Sequence, residues 1–205
     1  METDGFEGWT KVLGRLAAGA DLTSAESRGA LAEVLAGGAT SAQLAAFIVA
    51  LRLKGETAEE ITGLVEAMVA VAALLRLPAG AIDIVGTGGS PTLRDRAFNV
   101  STVASIVAAA AGATVCKHGN RMAVDLDGAG VERCIEAAGV GFCFARMFHP
   151  AMRHVGPTRS ELGIPTVFNI LGPLSHPGGV TRQVLGVADP ARVDVIAEVL
   201  RQRGM

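Results

Sequence analysis

Residues 83–121, DIVGTGGSPTLRDRAFNVSTVASIVAAAAGATVCKHGNR, carry the pattern of a strand, a loop, a helix and a second strand. Residues 82–85 are a short apolar run stopped by Gly86, Gly88 and Gly89. Residues 101–111 form an Ala/Val-rich stretch of helical length. Residues 113–116 are a second apolar run, ended by the polar cluster Lys117, His118, Gly119, Asn120 and Arg121. Two strands joined through a helix predict a parallel pair, and in an open parallel sheet ligands bind at the carboxyl ends of the strands.

The polar residues gather at that edge. Glycines let backbone amides approach an anion with no Cβ in the way. Asn99, Ser101 and Thr102 fall at the next helix start, where hydroxyls, free N–H groups and the positive dipole end can meet a phosphate. Lys117 adds a point charge and Arg121 a forked donor. Taken singly, Gly86-x-Gly88-Gly89 is also an ordinary tight turn, and Asn99, Ser101 and Thr102 an ordinary helix cap. Their order within one unit, followed by Lys-His-Gly-Asn-Arg, predicts a phosphate-bearing substrate. Neither a Gly-x-Gly-x-x-Gly turn opening a helix nor a Gly-Lys-Ser/Thr loop is present.

Outward from this unit, residues 6–78 predict four consecutive helices. Thr23-Ser-Ala-Glu26, Thr40-Ser-Ala-Gln43 and Thr57-Ala-Glu-Glu60 are capping boxes, and Gly19, Gly37-Gly38 and Gly55 stand where helices stop. Leu44, Phe47, Ile48 and Leu51 form one apolar stripe, and Ile61, Leu64, Val65, Met68 and Val69 another. Two such stripes exceed what a small bundle buries against itself, which predicts a homodimer through these helices. Leu77-Pro78-Ala79-Gly80 marks the passage out of the bundle, so we expect a helical unit over 1–78 and an α/β unit over 79–205. Beyond Arg121 the pattern predicts a helix over 131–138, strands over 140–145 and 184–187, and a new helix starting at Pro157. A last amphipathic helix is predicted over 190–203, with Val193, Ile196, Ala197 and Leu200 inward.

At 205 residues the chain has ample length for a core. A net charge of −2 supplies no basic field for nucleic acid or anionic membrane. No apolar run reaches a membrane span, and the acidic start is unlike a signal peptide, which predicts a cytoplasmic protein. Cys116, Cys143 and Cys134 lack a C-x-x-C pairing and read as reduced packing residues. His149, His154 and His176 lack the mutual spacing of a metal site.

The motifs Gly86-Thr87-Gly88-Gly89, Phe98-Asn99-Val100-Ser101-Thr102 and Lys117-His118-Gly119-Asn120-Arg121, followed by Phe168-Asn169-Ile170-Leu171-Gly172-Pro173-Leu174, resemble those of the anthranilate phosphoribosyltransferase family. The resemblance implies an α/β fold of the nucleoside phosphorylase/phosphoribosyltransferase kind: a small N-terminal helical bundle for dimerisation, bordering the cleft, and a mostly parallel sheet. It implies transfer of a phosphoribosyl group from 5-phosphoribosyl 1-diphosphate (PRPP) to the amine of anthranilate, with Mg2+ as cofactor. The matching positions imply Gly86, Gly89, Ser90, Asn99, Ser101, Thr102, Lys117 and Asn120 for PRPP, with Ser101 a magnesium ligand. Gly86, Asn120 and Arg159 are implied for anthranilate, Arg159 offering a fork to its carboxylate. Lys117 would neutralise phosphate charge. His118 is a candidate to accept the amine proton or orient the ring, and equally reads as a hydrogen-bonded histidine at a strand end.

The chain departs from the family pattern. Ser90 stands where Asp is common, and Ala97 where a hydroxyl residue often precedes Phe-Asn. After Arg121 a serine-rich segment is absent, as though cut out. The chain stops before the portion holding the paired acids that bind magnesium in the family, so the fold is expected to be incomplete at its C-terminus and turnover slow or nil. A nucleoside phosphorylase, a nucleic-acid-binding paralogue and an inactive fragment are the competing readings. The FN-x-LGPL segment speaks against the first and the lack of a basic helix face against the second, whereas the missing pieces favour the third.

Overall fold

The structure, a computed structural model, describes residues 5–88, 98–120 and 126–205. Gly89, Ser90 and Arg121, which the motifs place near the site, lie outside the described residues.

Four helices come first: α1 Trp9–Ala17, α2 Ser24–Leu35, α3 Ser41–Lys54 and α4 Ala58–Ala70. All three capping boxes form. Thr23, Thr40 and Thr57 accept the N–H of the residue three on at 3.2 Å, and Glu26, Gln43 and Glu60 reach back to the cap N–H at 2.8–2.9 Å. Glu60 does more than cap. Fully buried, it also accepts Leu22 N–H (2.9 Å) and Lys54 Nζ (2.9 Å), tying the starts of α2 and α4 to the end of α3.

The stripes on α3 and α4 are buried within this chain, not held out for a partner. Leu44, Phe47, Ile48, Leu51, Ile61, Leu64, Val65 and Met68 share one core with Val155, Val167, Phe168, Leu171, Leu174, Ile196 and Val199 from the far end of the sequence. The argument for a dimer through these stripes is thereby corrected, because helices from beyond residue 150 cover them. Those helices are α8 Gly156–Leu162, α9 Phe168–Leu174 and α10 Val193–Gln202, preceded by α5 Val100–Ala110, α6 Gly128–Ala138 and the short α7 Ala145–Phe148. In α10 the buried residues are Ile196 and Val199, while Val193 and Ala197 face solvent. Residues Pro190–Arg192 form a 3-10 turn instead of the first helical turn, which rotates the expected inward face.

The sheet has four parallel strands, β1 Ile82–Gly86, β2 Val115–Gly119, β3 Val140–Phe144 and β4 Arg182–Gly186, in the order β3-β2-β1-β4. The strand β2 runs on through Lys117, His118 and Gly119, which the polar cluster had suggested were already loop. The two outer pairings are registered over five residues each, β1 with β4 and β2 with β3. Between β1 and β2 the register is a single pair, Ile82 with Val115. Beyond it, side chains replace the ladder: the Asp83 carboxylate accepts His118 N–H (3.0 Å), and Lys117 Nζ donates to Ile84 C=O (3.0 Å). These side-chain bonds stand at the carboxyl ends of β1 and β2, beside the loops that follow the strands.

Candidate active site

The loop after β1, the start of α5 and the end of β2 meet at this edge of the sheet. A cavity of about 450 Å³ opens there, lined from these elements by Gly86, Thr87, Gly88, Asn99, Ser101, Thr102, Lys117, His118, Gly119 and Asn120, and from later ones by Phe142, Arg159, Phe168 and Asn169. The described residues that the sequence singled out thus come to one place. Gly88 takes φ +63°, a conformation that a side chain strains, and a Cβ on Gly119 would press on the Phe142 ring at 3.3 Å. The α5 helix opens with Asn99 as N-cap, and the Asn99 side chain makes no capping bond. The first turn of α5 therefore faces the cavity with a side-chain amide, two hydroxyls and the positive end of the helix.

Lys117 is almost wholly buried, its Nζ held by Ile84 C=O and lying 5.7 Å from the centre of the Phe142 ring. Burial lowers its pKa, against the attraction of Asp83. It is a fixed charge in the cavity floor, not the free strand-end charge that the sequence suggested. His118 projects from the other face of β2, since neighbouring residues of a strand point oppositely. Its imidazole is buried between His149 and His176, with ring centres 5.3 and 5.6 Å away, and burial with these neighbours holds its pKa well below the ordinary value. Its ring is thus packed among imidazoles on the face of β2 opposite Lys117.

Arg159, in the last turn of the short α8, is half-buried with its guanidinium 5.2 Å from the centre of the Phe168 ring. Burial alone shifts its pKa, downward, and none of the described acids pairs with it. A half-buried cation stacked on a ring and facing a cavity is arranged for an anionic, flat ligand. Ser101 and Thr102 offer hard oxygen atoms suited to magnesium, but no carboxylate stands among the described residues of this lining.

Sequence reading missed Asp83, Phe142 and Asn169. The aspartate had a signal, a lone acid inside the apolar run AIDIVG, and Asn169 had one in the repeated Phe-Asn. Phe142 had none. A second cavity of about 480 Å³ adjoins the first through Thr87, Gly88, Asn169 and Ala188 and reaches the bundle at Arg52 and Glu56. Glu56 is there ion-paired with Arg192. Among the described residues no helix is long and apolar enough to cross a membrane.

Comparison with known proteins gives these features a family. Residues 10–72 match the helical bundle domain of a glycosyl transferase family, and residues 78–130 and 122–205 match its a/b domain in two stretches. The stretches meet at the place where a segment seemed cut out. Anthranilate phosphoribosyltransferases of Saccharopolyspora erythraea and Frankia alni are 46% and 50% identical over 212 and 216 residues, each match taking in 96% of this chain. The chain spans only 60% and 58% of their lengths. Among solved structures, anthranilate phosphoribosyltransferase from Thermus thermophilus superposes with a TM-score of 0.85 at 41% identity, over 94% of this chain and 63% of that one. The Saccharomyces cerevisiae enzyme in complex with PRPP and Mg gives 0.83 at 30% identity, over 96% and 62%. The fold, the cavity and these matches together place the chain in the glycosyl transferase family of helical bundle and a/b domains, where the proteins it is similar to are anthranilate phosphoribosyltransferases.

Proposed function

We propose that the cavity binds PRPP and anthranilate for transfer of the phosphoribosyl group to the anthranilate amine, in tryptophan biosynthesis and in the cytoplasm. The observation that carries this reading is Arg159: a guanidinium without an acid partner among the described residues, stacked on Phe168, across one cavity from the open first turn of α5. The polar end suits a diphosphate, the arginine end an aromatic carboxylate. Catalysis of such a transfer rests on holding two reactants in line and on stabilising a charged leaving group. In this reading Gly86, Asn99, Ser101, Thr102, Lys117 and Asn120 hold PRPP, Gly86, Asn120 and Arg159 hold anthranilate, and the bundle borders the cleft through Arg52 and Glu56. Gly89 and Ser90, outside the described residues, belong to the same PRPP set by motif. The division into units at 1–78 and 79–205 is part of the reading, as is a pairing of two copies.

Magnesium, when bound, would screen the leaving diphosphate. Among the described residues Ser101 is the side chain that would hold it, with phosphate oxygens and water as further ligands. That sparse ligand set supports a second reading, binding with slow or no turnover. Calorimetric titration with PRPP, with and without magnesium, followed by an anthranilate fluorescence assay, tests both. Binding strengthened by magnesium with turnover supports transfer, binding alone supports the second reading, and no binding of PRPP refutes both.

A further inference from the structure

Behind the cavity floor, on the face of the sheet opposite Lys117, thiols and imidazoles from distant parts of the chain converge. Cys116 lies on β2, Cys143 on β3 and His176 just past α9, all buried, and their ligand atoms lie within 4.8 Å of one another. Cys143 Sγ is 3.7 Å from His176 Nε2. That spacing is what two ligands of one tetrahedral ion require, with about 2.3 Å to sulfur and about 2.0 Å to nitrogen. His118 belongs to the same face: it alternates with Cys116 along β2 and stands opposite Cys143 in the register. Its Nε2 is buried without a partner among the described residues, and its ring centre is 5.6 Å from that of His176.

A disulfide does not fit. Cys116 stands opposite Gly141, two residues from Cys143, and a diagonal pair has its Cα atoms roughly 7–8 Å apart. That is beyond the reach of the bond without movement of the strands.

We propose that Cys116, Cys143 and His176 form a buried site for a thiophilic divalent cation of the zinc kind, distinct from the magnesium position at Ser101, and that His118, whose ring nitrogens lie outside the spacing of those three, swings in as fourth ligand. Thiolate and imidazole ligands select such an ion over magnesium. Binding takes one proton from each thiol. In the structure Gly178 N–H donates to His176 Nδ1 (3.0 Å), so the Nε2 proton faces Cys116 C=O (3.0 Å). The ion takes the place of that proton, which moves to Nδ1, and the Gly178 amide turns away. The Cys143 thiol donates to Lys117 C=O (3.5 Å), a bond that is given up when the thiol loses its proton to make way for the ion.

The test is cobalt(II) loading of the whole chain under reducing conditions. Expected is one cobalt per chain, with thiolate-to-metal charge transfer in the near ultraviolet and tetrahedral visible bands, displaced by zinc and untouched by magnesium. Cys116→Ser and Cys143→Ser should each remove half of the charge-transfer intensity, and His118→Asn should alter the visible bands. His154→Gln, away from the cluster, should alter nothing. Ring nitrogen resonances of His176 should report the move of the proton to Nδ1 on loading with zinc. Absence of a thiolate band in the wild-type chain, or an unchanged band in the double cysteine variant, overturns the site. Should a variant fail to fold, the wild-type spectrum and the His176 resonances decide.

Discussion

At the scale of single residues, Arg159 separates the two halves of the cavity. Arg159→Ala is expected to weaken anthranilate use roughly ten- to hundredfold, the cost of a lost charge-assisted pair of about 1.5–3 kcal/mol, with PRPP affinity nearly unchanged. Titrating each ligand separately checks this, and equal loss for both would remove Arg159 from its assigned place. Lys117→Ala should act on the other half. PRPP affinity should drop and its salt dependence lessen, and the chain should lose some stability as well, because Lys117 also bridges from β2 to Ile84 C=O on β1. The sequence revealed the lysine but not this second task, since a run of polar residues hides the alternation of a strand. His118 and His149 make a further test. Burial depresses both, His149 to about 4 against an ordinary 6.5. Such groups contribute stability that is present above pH 6.5 and lost as pH falls through the folded value, by at most about 3 kcal/mol for His149. His176 has the opposite sign: burial works against its charge, but Cys116 and Asp83 outweigh this and raise it. Urea unfolding at pH 7, 5.5 and 4.5 should therefore show falling stability, with a shallower fall in His149→Gln.

At the scale of elements, the helix starts were the most legible features, because a capping box is a local device that needs no tertiary partner. What the local signal omits is that Glu60 belongs to two structures at once. It closes the Thr57 box and also receives Leu22 N–H and Lys54 Nζ inside the core. Glu60→Ala is expected to destabilise the chain by roughly 2–3 kcal/mol, since it leaves the buried Leu22 amide unpaired and takes one partner from Lys54, which keeps Asp21 and Gly55 C=O. Thr40→Ala, at an exposed box, should cost about 1 kcal/mol. Chemical denaturation of the two variants side by side measures the difference, and equal losses would mean that Glu60 does no more than cap. The inward face of α10 was less legible because helix phase depends on which residue begins the helix, and Pro190 begins a 3-10 turn. The end of β2 was misjudged for a related reason. Asp83 and Lys117 carry the β1–β2 contact through side chains, and no pattern within either strand announces it.

At the scale of the whole molecule, an apolar stripe in the sequence says that a face is buried but not by what. The α3 and α4 stripes were read as a surface for a second copy, yet α8, α9 and α10 fill that place. Apolar surface is instead open on the other side of the sheet. On α5, Val100, Ile106 and Val107 are each more than half exposed, as are Phe98 before it and Val184 on β4. Among the described residues strand β4 also forms one edge of the sheet, paired with β1 alone. Exposed apolar patches and open edges both favour association. We expect this chain to self-associate at micromolar concentration through the α5 and β4 face, not through the bundle. The variant Ile106→Glu with Val107→Lys places charges on that face and leaves the buried Ser105 in position, so it should shift the chain toward monomer without lowering its unfolding midpoint. A charge at Leu53, exposed on the bundle, should leave association unchanged. Sedimentation velocity over a tenfold range of concentration distinguishes the two surfaces. If the Leu53 variant becomes monomeric and the α5 variant does not, the bundle is the interface, and the exposed face of α5 must be tolerated by a lone chain.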